Sequence, residues 1–248
     1  MVDTLIINER QIRQDGRGSA LRACWRQWRA ERRLARRGIH FRDTNMETVA
    51  NAYRAMSLAE FEAINGRQDW ANWRTIPRAM SGHIPDRPLS IVDLGCGTGS
   101  STRVLAWYAP AGSRITGYEL AEPLLALARR RDYRNRAGQA AQVDFVCQGA
   151  TQTLRERTGG IIPEYSVDLV NASGVVGHHL NAATVSPLIA EIRRISGRGG
   201  MVMLDVGPSL GGPELRRLMS AANFEFLGHY RSGWWDPTGE MVFRGPDS

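Results

Sequence analysis

Lysine is absent from this chain, and all 32 basic side chains are arginine. That excludes lysine as a catalytic base. Cysteine is scarce. Cys24, Cys96 and Cys147 are odd in number and widely spaced, which gives neither a disulfide framework nor a metal-ligand pattern. A reducing cytoplasm is the expected location. No apolar run approaches the ~20 residues of a membrane span. The opening stretch, 1–8, is only briefly apolar and carries no basic flank, so no signal peptide is expected.

What is present describes an ordinary folded protein. The 248 residues are 42% hydrophobic and 23% charged, enough for one large domain or a domain with an appendage. The net charge of +7 is unevenly placed. Between residues 9 and 42, eleven arginines face only Glu9, Asp15 and Glu31, a net of +8. Asp3 removes one charge, and residues 43–248 are neutral overall. The basic character belongs to a terminal arm.

The chemistry gathers at Ile91-Val92-Asp93-Leu94-Gly95-Cys96-Gly97-Thr98-Gly99-Ser100-Ser101-Thr102. Ile91, Val92 and Leu94 make the short apolar run of a buried parallel strand. Gly95, Gly97 and Gly99 permit positive φ and let a ligand approach bare backbone. Thr98, Ser100 and Ser101 are candidate caps for the helix that follows, whose free N–H groups suit a polar ligand. The spacing is G-x-G-x-G, with Ser100 where a dinucleotide fingerprint needs its third glycine. Asp93 would repel a pyrophosphate and attract a cation. Twenty residues beyond Gly99, a second strand, Arg114–Tyr118, ends at Glu119, where a carboxylate can accept from both hydroxyls of a ribose.

These two stretches resemble motifs I and II of the class I S-adenosylmethionine-dependent methyltransferases, and the resemblance extends over about residues 85–245. It implies S-adenosyl-L-methionine as cofactor, held by Asp93, Gly95, Cys96, Gly97 and Gly99 on the turn and by Glu119 and Leu120 after the second strand. A third strand, Val143–Cys147, leads to Gln148, Gly149 and Ala150. Family members often place an adenine-binding aspartate here; this chain has Gly149, with the Gln148 amide oxygen or the Ala150 backbone as substitutes. The fourth strand, Val167–Asn171, would bring Asn171 and Ser173 to the cofactor. Enzymes that methylate base amino groups carry an Asn/Asp-Pro-Pro-Tyr type motif at this place, and Asn171-Ala172-Ser173-Gly174 lacks both the prolines and the aromatic.

Beyond the fourth strand come His178 and His179, the candidate catalytic bases, since histidine titrates near neutrality. No carboxylate or cysteine cluster accompanies them, so no metal is expected. Later segments read as a helix from Ser186 to about Ser196 closed by glycines 197–200, a strand Met201–Asp205, a helix from Pro213 to Ala222, and strands Phe224–Tyr230 and Glu240–Arg244. The last two follow one another with no helix between and must pair antiparallel. The fold expected is α/β, a doubly wound, mostly parallel seven-stranded sheet with an antiparallel last strand and an N-terminal helical cap. Residues 1–82 would be the arm and cap, and 83–248 the methyltransferase domain.

Within the first part, residues 20–37 read as a basic helix with Leu21, Cys24, Trp25 and Trp28 on one face, stopped by Gly38. One reading lays the tryptophans on the body; the other makes the segment an arm for RNA, an acidic membrane or an acidic protein. Residues 44–80 read as two or three helices, with a capping box at Ser57–Glu60 and a stop at Asn65-Gly66. By resemblance they cover the active site and offer Tyr53, Trp70, Trp73 and Arg74 to the substrate. The expected function is methyl transfer to oxygen, nitrogen or carbon of a small-molecule acceptor. The alternatives are an RNA or protein methyltransferase guided by the arginine helix, with nucleic acid held through residues 9–42, and a non-catalytic cofactor-binding module.

Overall fold

The computed structural model describes residues 4–13, 20–43, 45–233 and 239–246, apart from the side chains of Ala20, Leu21 and Met46. The expected place of the Leu21 side chain on the apolar face of the first helix therefore lies outside the described residues. Three N-terminal helices, α1 (Ala20–Arg36), α2 (Met46–Arg54) and α3 (Leu58–Met80), precede the sheet. Then β1 (Ser90–Leu94), α4 (Ser100–Tyr108), β2 (Arg114–Glu119), α5 (Glu122–Ala128), β3 (Gln142–Cys147) and β4 (Val167–Ala172) alternate. A single turn, α6 (Val176–His179), is followed by α7 (Ser186–Ile195), β5 (Ser196–Val206), α8 (Gly212–Ala221), β6 (Glu225–Tyr230) and β7 (Gly239–Arg244).

The seven strands lie in the order β3-β2-β1-β4-β5-β7-β6, with β7 alone reversed between β5 and β6. This is the doubly wound sheet with an antiparallel last strand that the alternation predicts. Order reverses between β1 and β4, so the crevice for a ligand opens beyond Leu94 and Ala172. One difference concerns glycines 197–200. They do not separate α7 from its strand. Ser196 already pairs with Val167, and the bulge between Val167 and Leu169 takes up the extra residues.

Two expectations about the cap change. Asn65-Gly66 does not end a helix; α3 runs through both for 23 residues. A Cβ on Gly66 would stand 3.8 Å from that of Ala23, so the glycine serves close contact between α3 and α1 rather than chain reversal. The apolar face of α1 that packs on α3 is Ala30 and Leu34, which meet Ile64. Trp25 and Trp28 point away, 56% and 53% exposed, with Arg29 and Arg32 stacked over their rings. The tryptophans are not laid on the body, because the small residues take the inner face.

The segment before α1 belongs to the main core. Leu5 N–H donates to the Ile84 carbonyl, and Ile7 and Ile12 are buried in one cluster with Trp73, Met80, Ile91 and Leu105. No helix among the described residues is long and apolar enough to cross a membrane.

Candidate active site

The turn after β1 is built as its glycines require. Gly95, Gly97 and Gly99 have φ of +65°, +54° and +80°. A Cβ on Gly95 would lie 2.1 Å from Val175 Cγ2, and one on Gly99 1.9 Å from the Tyr133 hydroxyl, so neither position admits alanine without displacement. The serine and threonine caps expected for α4 are not used. Gly99 itself is the N-cap, with no side-chain bond.

Of the three candidates, Ser101 turns instead to Asp93, joined there by Thr102. Ser101 Oγ and Thr102 Oγ1 donate to Asp93 Oδ2 at 2.8 and 2.6 Å, and Asn171 Nδ2 donates to Oδ1 at 2.7 Å. Asp93 is wholly buried and lines no cavity. Burial pushes its carboxyl upward, opposed by these three donors. This corrects the expectation of a direct grip on a cation. Asp93 and Asn171 tie α4 and β4 to β1 and hold the turn from behind.

Glu119, by contrast, lines a cavity. Its Oε2 accepts from Gly97 N–H at 3.2 Å and its Oε1 from Ala121 N–H at 2.8 Å. Burial raises its carboxyl, opposed by the backbone N–H groups of Ala121, Gly97 and Leu120. It lines a cavity of about 90 Å³ with Leu120, Gly149, Ala150, Val175 and Tyr118, apolar walls of the kind a purine needs. Gln148 also reaches this cavity, with its amide partly committed elsewhere. Its Nε2 donates to the Thr153 carbonyl and its Oε1 accepts from Arg155 N–H. Its amide oxygen, with a second lone pair, keeps one acceptor site beyond the bond from Arg155.

A second cavity, about 320 Å³, lies between α3 and the glycine turn. It shares Phe61, Asn65, Gln68, Gly95, Gly97 and Ser173 with the first, so the two are continuous. Its far wall carries Asp69, Asn72, Ser100, Arg103 and Arg131. Such a wall suits a zwitterion: Arg103 and Arg131 for a carboxylate, Asp69 for an ammonium. Asp69 accepts from Ser100 Oγ and lies 3.4 Å from Arg103. None of these side chains was singled out from the sequence, apart from Ser100 as a cap. A signal was there: Asn65, Gln68, Asp69 and Asn72 repeat at i, i+3, i+4 and i+7, a polar stripe on a helix otherwise turned to the core. Cys96 touches this cavity, but burial and the charges of Asp93 and Glu119 hold its thiol well above the usual range. It packs; it does not react.

The third cavity, about 90 Å³, lies beyond the end of β4 and is lined by Phe41, Tyr53, Gln68, Gly174, His178 and His179 among others. Tyr53 Oη stands 3.0 Å from His179 Nε2. His179 is buried, and its pKa is lowered to about 4 by burial first and then by His178, with the Asp43 backbone opposing. His178 is partly exposed, 4.0 Å from Asp205 Oδ2. Asp205 accepts from the N–H groups of Val175, Val176 and Gly177, which fixes the α6 turn that presents both histidines.

Of the four expected substrate residues, only Tyr53 reaches a cavity. Trp73 is 2% exposed and packs edge-on to Trp107 and Tyr108. Arg74 is buried, its guanidinium over the Trp70 ring at 4.0 Å and donating to the Trp70 carbonyl. These three face the packed side of α3, because the polar stripe takes the side toward the turn. Among the described residues no group of His, Cys, Asp and Glu could hold a metal ion.

A buried carboxylate at the end of β2, an apolar slot and a zwitterion-lined cleft fit a sulfonium nucleoside with an amino-acid tail. The comparisons with known proteins agree. Residues 91–200 match the family described as a methyltransferase domain. An uncharacterized protein of Synechococcus sp. is 30% identical over 200 residues, 77% of this chain. This chain spans 45% of that relative's length. The putative methyltransferase of Haloferax volcanii, solved with the Trm112 methyltransferase activator, superposes with a TM-score of 0.55 at 16% identity over 79% of this chain and 97% of that one. A methyltransferase of Methanosarcina mazei gives 0.51 at 15% identity, over 67% and 96%.

Proposed function

We propose that this chain, whose residues 91–200 match a methyltransferase domain, transfers a methyl group from S-adenosylmethionine to a small-molecule acceptor enclosed beneath α3. The observation that carries this is the joining of three cavities under one helix, with Gln68 and Asn65 of α3 common to all of them. Glu119 would accept from the ribose hydroxyls, with Leu120, Gly149 and Ala150 beside the adenine. Arg103, Arg131 and Asp69 would hold the amino-acid end, and the Gly95–Gly97 backbone and Ser173 would lie along the middle.

When bound, S-adenosylmethionine supplies a methyl group on a positively charged sulfur, open to in-line displacement. The chain's own task is then to hold an acceptor behind that methyl and to exclude water. Tyr53, Gly174 and the two histidines enclose the place beyond β4 where the acceptor would lie. His179, neutral at pH 7 and bonded to Tyr53, is a positioning group; His178, in contact with solvent, is the better route for a proton.

Calorimetry tests the cofactor assignment: heat from S-adenosylmethionine and its demethylated product, and none from a nicotinamide dinucleotide. Heat only from the dinucleotide overturns it. Release of S-adenosylhomocysteine across a panel of small acceptors then tests turnover, and binding without turnover on any acceptor would favour a non-catalytic module.

A second reading is favoured by the outward Trp25 and Trp28, each stacked under an arginine. Rings and guanidinium groups on one exposed face suit a single-stranded polyanion. In this reading α1 guides the domain to RNA. Salt-dependent binding of a single-stranded RNA, with methyl transfer to it, would support it over the small-molecule acceptor.

A further inference from the structure

Glu240 lies near the start of β7 and is 1% exposed. Its Oε1 accepts from Ser173 Oγ at 2.7 Å, while its Oε2 has no hydrogen-bond partner among the described residues. Leaving a buried carboxyl oxygen unpaired is costly unless something completes it. Glu240 lines a small cavity of about 10 Å³ with Gln68, Thr75, His178 and Asp205. That is room for one water-sized group. Gln68, Ala71 and His178 also line the acceptor cavity, so the small one is its inner end.

The charges facing this end are of one sign. Asp205 is Glu240's partner across β5 and β7. Asp93 stands behind, reached through Ser173 and Asn171. Asp93 and Asp205 each have three donors within the fold. α3 contributes the neutral Gln68 and Thr75, β6 places Tyr230 beside Glu240, and α6 offers His178. Among the described residues no arginine lines this cavity. Burial and the neighbouring Asp205 push the Glu240 carboxyl well above the usual range.

Building on the methyltransferase reading, we propose that the acceptor is an amine whose nitrogen occupies this inner end and donates to Glu240 Oε2. An ammonium head is the size of the cavity and supplies the missing cation. Ser173, bonded to Glu240, also lines both cofactor cavities, which keeps the nitrogen near the transferable methyl. Glu240 as carboxylate takes one proton from the ammonium and leaves a neutral amine. The freed lone pair forms the nitrogen–carbon bond as the carbon–sulfur bond breaks and sulfur keeps its electron pair. Glu240 returns its proton to solvent past His178, and the methylated ammonium leaves.

The test uses n-propylamine and 1-propanol as matched probes on the protein saturated with S-adenosylhomocysteine. Infrared difference spectra at neutral pH follow the buried carboxylic acid band, assigned by its loss in Glu240→Gln. The amine is expected to abolish the band and the alcohol to leave it. Equal effects of the two probes, or a band unmoved by both, overturn the proposal. The comparison of probes is made on the natural chain, and should Glu240→Gln not fold, the shift of the band in Glu240→Asp assigns it. In turnover, primary amines are expected to outpace matched alcohols at least about tenfold, and Glu240→Gln to slow amines about tenfold or more while Glu240→Asp restores part of the rate. Alcohols methylated as fast as amines overturn the amine assignment and leave small-molecule methyl transfer standing. No heat from S-adenosylmethionine overturns both.

Discussion

The hydroxyl of Tyr53 meets Nε2 of His179 at 3.0 Å, a bond that joins α2 of the cap to the turn after β4. The two rings stand at 88° to each other with centroids 6.0 Å apart. Because the partners act as one unit, Tyr53→Phe and His179→Asn are expected to raise the acceptor's KM by similar factors. The double variant should be little worse than the worse single, a coupling of about 0.5–3 kcal/mol in a double-mutant cycle. With its pKa near 4, His179 is uncharged through the neutral range. Any ionisation seen in kcat between pH 6 and 8 should therefore survive in His179→Asn.

Glu119→Gln should weaken S-adenosylmethionine by about 10- to 100-fold in calorimetry, the loss of charge-assisted bonds to the ribose. An unchanged affinity would remove Glu119 from the site.

Asp93→Asn should act on stability first. The amide cannot accept from Ser101, Thr102 and Asn171 together, and the loss of one charge-assisted bond costs about 1.5–3 kcal/mol. At the size of this chain that is roughly 3–12 °C in Tm. Scanning calorimetry checks it.

How much of this was legible follows from what each residue faces. The turn 95–99 and Glu119 were readable, because backbone shape and strand order alone place them. Asp93 reads as a ligand because a carboxylate before a glycine turn suggests a cation; its oxygens are taken up by Ser101 and Thr102 of the adjoining α4 and by Asn171 of β4, 78 residues away. Trp73 and Arg74 were read as substrate contacts because aromatic and charged groups on a cap helix often are. Which side of α3 meets the turn depends on packing against α4, and that put Asn65, Gln68, Asp69 and Asn72 there instead. Glu240 was not singled out. It stands before an unbroken apolar run, Met241-Val242-Phe243, on a short strand, and only β5 and β7 together bring it beside Asp205.

Glu240 makes the fold sensitive to alkali. A buried acid whose folded pKa lies above its unfolded value of 4.5 is fully accommodated below that value, and its stability contribution is lost as pH rises through the folded one. Glu240→Gln removes this penalty while keeping the bond from Ser173. The variant should melt close to the natural chain in acid and above it at pH 8, in thermal scans at both pH values.

Trp25→Ala with Trp28→Ala should leave Tm nearly unchanged, since exposed substitutions typically cost within about 0.5 kcal/mol. If α1 guides the domain to RNA, the same variant should lose binding of a single-stranded RNA in a fluorescence titration. An RNA affinity unchanged by the pair would leave the small-molecule acceptor alone.

Those substitutions must be made in place, and the path of the chain before α1 says why. Arg13 lies over the rings of Trp73 and Trp107 at 4.6 and 4.7 Å, Glu9 is bound by Arg78, and Ile12 is sealed in the core. Residues 4–13 are thus a strap packed against α3 and the sheet. Trimming it would strip the floor under α3 along with the arginines, and a truncated enzyme would go silent for reasons unrelated to whatever its outer helix touches.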